Sequence, residues 1–145
     1  MKNYFKILFV LIFAILLSCE KNNPVVNEDV QFTDCKIRRE GDSLEYFICE
    51  AIEDNYLKIS HVNAEFDYLP KNITVNIDVK RKNIDIYEEI ELDNSDNCFC
   101  PIDITYEIGE LKKRKYKINI FLSGVQYAHF FIDYNSALAD TILKN

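Results

Sequence analysis

The sequence is poor in basic residues and in glycine, and it has no apolar run long enough to span a bilayer as a helix. Of its 145 residues, 17 are Lys or Arg and 24 are Asp or Glu, which gives a formal net charge of −7. Binding to nucleic acid needs a clustered basic surface, so this balance argues against such a partner. The three glycines do not exclude a fold of strands and tight turns, because Asn and Asp also tolerate turn conformations.

The longest N-terminal apolar run extends from Ile7 to Leu17, whereas a helix needs about 20 residues to cross the hydrocarbon core. Two lysines flank its start, and Ser18 and Cys19 follow its end. A basic start, a short apolar core and a small residue before the cleavage site are typical of a secretory signal peptide. The ending resembles the lipobox of bacterial lipoproteins. We therefore predict a cleaved signal peptide over residues 1–18 and lipidation of Cys19.

Cleavage before Cys19 would remove two lysines and change the formal net charge from −7 to −9. Two or three acyl chains hold a protein firmly at a membrane, because each buried methylene contributes about 0.8 kcal/mol. The polar residues 19–29 are interpreted as the anchor and a tether. Membrane attachment in the cell envelope is thus expected, and resemblance to other such lipoproteins favours the outer membrane.

From Val30 onward apolar and polar residues alternate, which places successive side chains on opposite faces of a strand. The pattern predicts an all-β fold, a single immunoglobulin-like antiparallel sandwich of about 7–8 strands over residues 30–135. Residues 136–145 are predicted to be a tail or a short helix. The clearest strands are predicted around 73–79, 84–92, 102–108 and 116–122, with weaker ones around 30–37, 44–51, 56–66 and 126–134.

The basic cluster Lys112-Lys113-Arg114-Lys115, with Lys117, separates two predicted strands. We interpret it as a solvated hairpin loop. The alternative is contact with anionic lipid headgroups near the anchor.

Four cysteines follow Cys19, namely Cys35, Cys49, Cys98 and Cys100. In an exported protein their default state is the disulfide. Cys98 and Cys100 lie two residues apart, too distant on a strand to pair with each other, so each would join Cys35 or Cys49. The alternative is a soft-metal site on Cys98 and Cys100, with the two imidazoles of the chain, at positions 61 and 129, as further ligands.

Other polar residues are interpreted as structural. His61 shares a strand face with Leu57 and Ile59, which predicts a partly buried, hydrogen-bonded imidazole, and Ser60 would point to the opposite face. Glu88 and Glu89 also face opposite ways and are interpreted as a solvated acidic surface. The loop Asp93–Asn97 offers oxygen ligands but lacks the glycine and distal glutamate of an EF-hand. No catalytic residue, metal site or cofactor is predicted.

The middle of the chain, about residues 56–120, resembles a family of small Bacteroidota lipoproteins with a β-sandwich-type domain and no assigned activity. The residues that carry the resemblance are His61–Phe66 with Pro70, Ile84-Asp85-Ile86 with Glu88, Cys98–Asp103 with Tyr106 and Ile108, and Tyr116-Lys117-Ile118. The chain departs from the family pattern at Asp67-Tyr68-Leu69, where the family has Asn-Cys-Cys, and at Asp96, where it has a third cysteine. The resemblance therefore implies a rearranged or smaller set of disulfides.

These observations predict a lipid-anchored, non-enzymatic binding or assembly module with an unknown protein or glycan partner. The aromatic residues Tyr127, Phe130 and Tyr134 would supply a contact surface or belong to the core. The alternatives are a metal-handling lipoprotein and an envelope hydrolase that uses paired carboxylates.

Overall fold

The computed structural model describes residues 25–26, 30–36, 44–66, 70–92 and 100–144. The predicted signal peptide, the lipidation site Cys19, Cys98 and the acidic loop 93–97 lie outside the described residues. Ten strands occur in the described part, in the order β1 (Val25–Val26), β2 (Gln31–Phe32), β3 (Tyr46–Ala51), β4 (Leu57–Phe66), β5 (Pro70–Lys80), β6 (Asn83–Leu92), β7 (Cys100–Ile108), β8 (Arg114–Leu122), β9 (Val125–Tyr134) and β10 (Ala139–Leu143). A short 3₁₀ turn, Glu53–Asn55, connects β3 to β4.

The strands form two five-stranded sheets. The first has the order β1-β5-β6-β8-β9 and the second the order β10-β3-β4-β7-β2. The predicted all-β sandwich is confirmed. The pairing is not antiparallel throughout, because β6 and β8 are parallel neighbours. Between them the chain crosses to the other sheet as β7 and returns, so that β8 runs in the same direction as β6.

The core lies between the sheets and is built from the apolar half of each alternating pattern. Ile73, Val75 and Ile77 of β5 point inward together with Ile84 and Ile86 of β6, and all five are buried. Burial of such side chains contributes roughly 25 cal/mol per Å² of apolar surface removed from water. The alternation that predicted the strands is thus the same pattern that fills the core.

Two tight turns explain how the hairpins close with so little glycine. Ser123 and Gly124 join β8 to β9 with φ angles of 48° and 82°, which is the type I′ combination that matches the twist of a hairpin. Arg81, in the two-residue turn between β5 and β6, also has a positive φ of 56°. Glycine is therefore used at one of these turns and a long side chain at the other.

Three predictions about segments outside the strongest strands are wrong. Residues 139–143 form β10, which pairs with β3, rather than a tail or a helical turn. Val25–Val26, in the predicted tether, pairs as β1 with β5. The basic cluster does not cap a hairpin, because the strands on either side of it, β7 and β8, belong to different sheets. Helices long and apolar enough to cross a membrane are absent from the described residues.

Candidate functional site

The most unusual feature of the interior is a histidine at the centre of the sandwich. His61 lies on β4, opposite Phe47 of β3 and Ile104 of β7, and its exposed fraction is 0%. The β4–β7 register shifts between His61 and Ala64, and Asn63 within that irregularity has a φ of 57°. The irregularity places the consecutive residues His61 and Val62 both in buried positions, which regular alternation does not allow.

Both ring nitrogens of His61 contact carboxylates. Nδ1 lies 3.0 Å from Oε2 of Glu88, and Nε2 lies 2.6 Å from Oε1 of Glu45. Burial on its own lowers the pKa of His61, but the two carboxylates outweigh it and raise the pKa to about 9. The ring is therefore an imidazolium at neutral pH, and it donates a hydrogen bond through each nitrogen.

Glu88 is the second buried member of this network. Its exposed fraction is 0%, and its other oxygen, Oε1, accepts a hydrogen bond of 3.0 Å from the hydroxyl of Tyr106. The prediction of a solvated acidic surface is wrong for Glu88 and holds for its neighbour Glu89, which is exposed. The signal was present in the sequence, because position 88 falls on the same strand face as the buried Ile84 and Ile86.

Glu45, just before β3, connects the buried histidine to the protein surface. Its Oε1 also accepts a hydrogen bond of 2.6 Å from the Tyr127 hydroxyl, and its Oε2 accepts one of 2.7 Å from Lys144 Nζ. Burial raises the pKa of Glu45, but the hydrogen bonds from His61, Lys144 and Tyr127 outweigh it, so the pKa is lowered overall. Burial and Glu45 raise the pKa of Tyr127, which stays protonated and donates.

Lys144 makes a second contact at the same place. Its Nζ lies 3.5 Å from the centroid of the Tyr127 ring, well within the range of a cation–π interaction. The network thus contains two cations, the His61 imidazolium and the Lys144 ammonium, and two carboxylates, Glu45 and Glu88. Pairing of this kind is what makes buried charge tolerable.

Aromatic rings and a cleft lie next to the surface end of the network, where Glu45 and Lys144 meet. The Phe47 ring centroid lies 4.4 Å from that of His61 and 5.4 Å from that of Phe130. A cleft of about 210 Å³ opens between the edge strands β9 and β10. It is lined by Phe47, Tyr127, Ala128, His129, Phe130, Ile142, Leu143 and Lys144.

The two contacts of the His61 ring leave neither nitrogen free to act as a general base. A general base needs a nitrogen that can accept a proton from a substrate, and both nitrogens here donate to carboxylates. Ser60 points away from His61 as predicted, and its hydroxyl accepts a 3.1 Å hydrogen bond from Thr105. The second histidine, His129, is exposed on β9.

The described residues contain no group of three or more His, Cys, Asp or Glu side chains arranged to hold a metal ion. The prediction that the whole chain has no metal site stays a prediction, because Cys98 and the side chain of Cys100 lie outside the described part. His61, one of the two imidazoles that a thiolate site would have used, is bound to Glu45 and Glu88.

The side chains of two cysteines are described, and one is disulfide-bonded while the other is free. Cys35 is disulfide-bonded, and its partner is not among the described side chains. Cys49 is free and fully buried on β3, so its predicted place among the disulfide cysteines is wrong. Burial, with a smaller effect of Asp140, raises the pKa of the Cys49 thiol to about 12. Cys49 therefore behaves as a small apolar core residue.

The aromatic residues of β9 are divided between core and surface. Phe130 and Tyr134 are buried, so they belong to the core rather than to a contact surface. Tyr127 is half-buried in the network, whereas Phe131 is 57% exposed and has Lys115 Nζ 5.0 Å from its ring centroid.

Comparisons with protein-family models, with curated proteins and with solved structures find no match.

Proposed function

We propose that the chain is a lipid-anchored lipoprotein of the bacterial cell envelope, held at the outer membrane, whose β-sandwich is a non-enzymatic binding or structural module. The observation that carries the proposal is the N-terminal sequence, in which a basic start and the short apolar run 7–17 lead to Ser18-Cys19. The expected anchor is the lipidated Cys19.

The geometry of the sandwich supports a binding or structural role over an enzymatic one. The charged groups in its interior are paired with one another, and Tyr106 and Tyr127 donate the remaining hydrogen bonds to Glu88 and Glu45. Such a network fixes the relative position of strands from both sheets, because β4 carries His61 and β6 carries Glu88. A rigid scaffold that presents its edges and loops is suited to holding a partner.

The alternative of a metal-handling lipoprotein on Cys98 and Cys100 receives less support. The disulfide of Cys35 requires a cysteine other than Cys49, which is free. If either Cys98 or Cys100 is that partner, a site with two thiolates cannot form. Peptide mapping without reduction would identify the partner, and both thiols found free would restore the alternative.

The anchor is tested by expression of the full chain in a Gram-negative host supplied with an alkyne-labelled fatty acid. The wild-type chain should carry the label, sediment with outer membranes and lack residues 1–18 by mass spectrometry. The variant Cys19→Ser should be unlabelled, while Cys49→Ser serves as the matched control and should be labelled normally. An unlabelled wild-type chain that keeps its first 18 residues would contradict the proposal.

A further inference from the structure

The groups that surround the Lys144 ammonium are of the kind found in cation-binding sites. The ammonium group lies 2.7 Å from Oε2 of Glu45 and 3.5 Å from the centroid of the Tyr127 ring. A carboxylate on one side and an aromatic face on the other are the two groups that recognise a compact cation most strongly. In this structure the cation comes from the chain itself.

The receiving groups are held in place by bonds that do not involve Lys144. Oε1 of Glu45 is fixed by His61 Nε2 and by the Tyr127 hydroxyl, each at 2.6 Å. The Tyr127 hydroxyl bond also orients the ring whose face receives the ammonium. Because His61 is in turn bound to the buried Glu88, the site is attached to the core of the sandwich and is organised before a cation arrives.

Strand β10, which leads to Lys144, buries little of its side-chain surface. In β10 the side chains of Ala139, Asp140, Thr141 and Leu143 are exposed, and Ile142 is only partly buried. The strand is held by main-chain pairing with β3, which Lys144 extends through a 3.2 Å bond from its N–H to the Glu45 carbonyl. Ile142 packs against the core, and Lys144 adds the charged side-chain contact of this segment with Glu45.

The cleft beside the ammonium can accommodate an alkyl chain. Its volume is about 210 Å³, and its apolar lining includes the accessible side chains of Ala128, Ile142 and Leu143. The Lys144 side chain is 27% exposed, so the position can be reached from solvent. A primary alkylammonium group would place its charge between Glu45 and Tyr127 and its methylenes along these apolar side chains.

We propose that Glu45 and Tyr127 form a binding site for a primary alkylammonium group, which Lys144 occupies as an intramolecular ligand. The external ligand is either a free alkylamine or a lysine side chain of a partner, since both present the same group. This inference gives the proposed binding module a ligand and rests on that function. It does not depend on lipidation of Cys19, so loss of the label at Cys19 and loss of ammonium binding would be separate results.

In the test, Lys144→Ala removes the intramolecular ammonium group from the site. An added amine is then expected to restore the lost thermal stability. We expect the variant to melt roughly 4 °C below the wild-type chain, the usual scale for one lost contact in a domain of this size. About 50 mM n-butylammonium should raise its melting temperature by about 3 °C. Sodium at the same ionic strength should not, and the wild-type chain should respond much less at this concentration, because the amine must first displace Lys144.

Two control variants distinguish amine binding at this site from general effects of amines on stability. In the double variant Glu45→Gln with Lys144→Ala the carboxylate is absent, so n-butylammonium should have no effect. Lys115→Ala removes another lysine that lies over an aromatic ring, that of Phe131, and it should not be rescued. Equal responses of Lys144→Ala and Lys115→Ala, or no response of Lys144→Ala, would overturn the proposal.

A peptide-binding experiment distinguishes a free alkylamine from a lysine side chain of a partner as the source of the ammonium group. The peptide Leu-Ala-Asp-Thr-Ile-Leu-Lys, which repeats residues 138–144, is compared by calorimetry with its norleucine analogue. If the lysine peptide binds the Lys144→Ala chain more tightly than n-butylammonium does, and the norleucine analogue does not bind, the ligand is a lysine-bearing segment. Binding of n-butylammonium without peptide binding indicates a free amine.

A second measurement applies if Lys144→Ala does not fold. The wild-type chain is titrated with n-butylammonium while the Lys144 Nζ resonance is followed by NMR. Displacement should move the resonance towards that of a solvated lysine, and a resonance that does not move at saturating amine would overturn the proposal.

Discussion

The bond between His61 Nδ1 and Glu88 Oε2 joins two side chains that are both fully buried. Loss of one partner from a buried ion pair leaves the other charge uncompensated, at a cost of about 3 kcal/mol or more. We therefore expect Glu88→Gln to lower the free energy of unfolding by about 3 kcal/mol in urea denaturation. Glu89→Gln, at the exposed neighbouring position, is the matched control and should change it by less than about 0.5 kcal/mol. Similar small losses in both variants would contradict the assigned role of Glu88.

The raised pKa of His61 makes stability depend on pH in a defined direction. Its pKa of about 9 in the folded chain lies above the ordinary value of 6.5, so the folded state binds the proton more tightly. The stabilisation is complete below about pH 6.5 and is lost as the pH rises through 9, a total of about 3 kcal/mol. The groups that face the ring are Glu88 and Glu45, with Tyr106, Tyr127 and Lys144 behind them.

Melting temperatures measured from pH 6 to pH 9 should therefore fall, and the NMR signals of the His61 ring should remain those of an imidazolium at pH 8. His61→Gln is the comparison variant, in which this part of the slope should be absent. Measurement should stop at pH 9, because the Cys49 thiol, with its pKa raised by burial to about 12, adds a slope above that. A neutral ring at pH 8 would contradict the assignment.

At the scale of the element, the β8–β9 hairpin depends on the backbone of its turn. Gly124 has a φ of 82°, a conformation that costs an L-residue about 1 kcal/mol. Because an added Cβ would meet no atom within 4 Å there, the expected loss of about 1 kcal/mol in Gly124→Ala is due to backbone conformation alone. The partner change Ser123→Gly relieves a φ of 48° and should be neutral or stabilising in the same denaturation assay. A loss in both variants would contradict the conformational explanation.

The strands best predicted from sequence are those in which one face is buried and the other is wet, such as β5 and β8. Alternation records burial within a strand but not which strand lies beside it, so the parallel neighbours β6 and β8 were not predictable from the pattern. The hydrophobic pattern gives no signal for β10, because four of its five side chains are exposed and main-chain pairing leaves no trace in the pattern. The charge of Glu88 favours the surface, whereas its position in the alternation predicts burial, and the position decides.

At the scale of the whole molecule, the network connects elements that are distant in sequence. The segment before β3 and strands β4, β6, β7 and β9 each supply one of its residues, and Lys144 follows β10. A contact set of this kind forms only when both sheets are docked, so its loss should affect the molecule as a unit. A probe in the core is needed to measure that effect.

Cys49 is such a probe, because its free thiol is buried at the centre of β3. Alkylation by iodoacetamide, read at the Cys49 peptide by mass spectrometry, should be slower than in the denatured chain by a factor of about 10³ or more, since it requires opening of the core. Glu88→Gln should accelerate this labelling about a hundredfold, which is the equivalent of its expected stability loss. Glu89→Gln should leave the rate unchanged. Equal labelling rates in the two variants would mean that β3 opens without disruption of the buried His61–Glu88 pair.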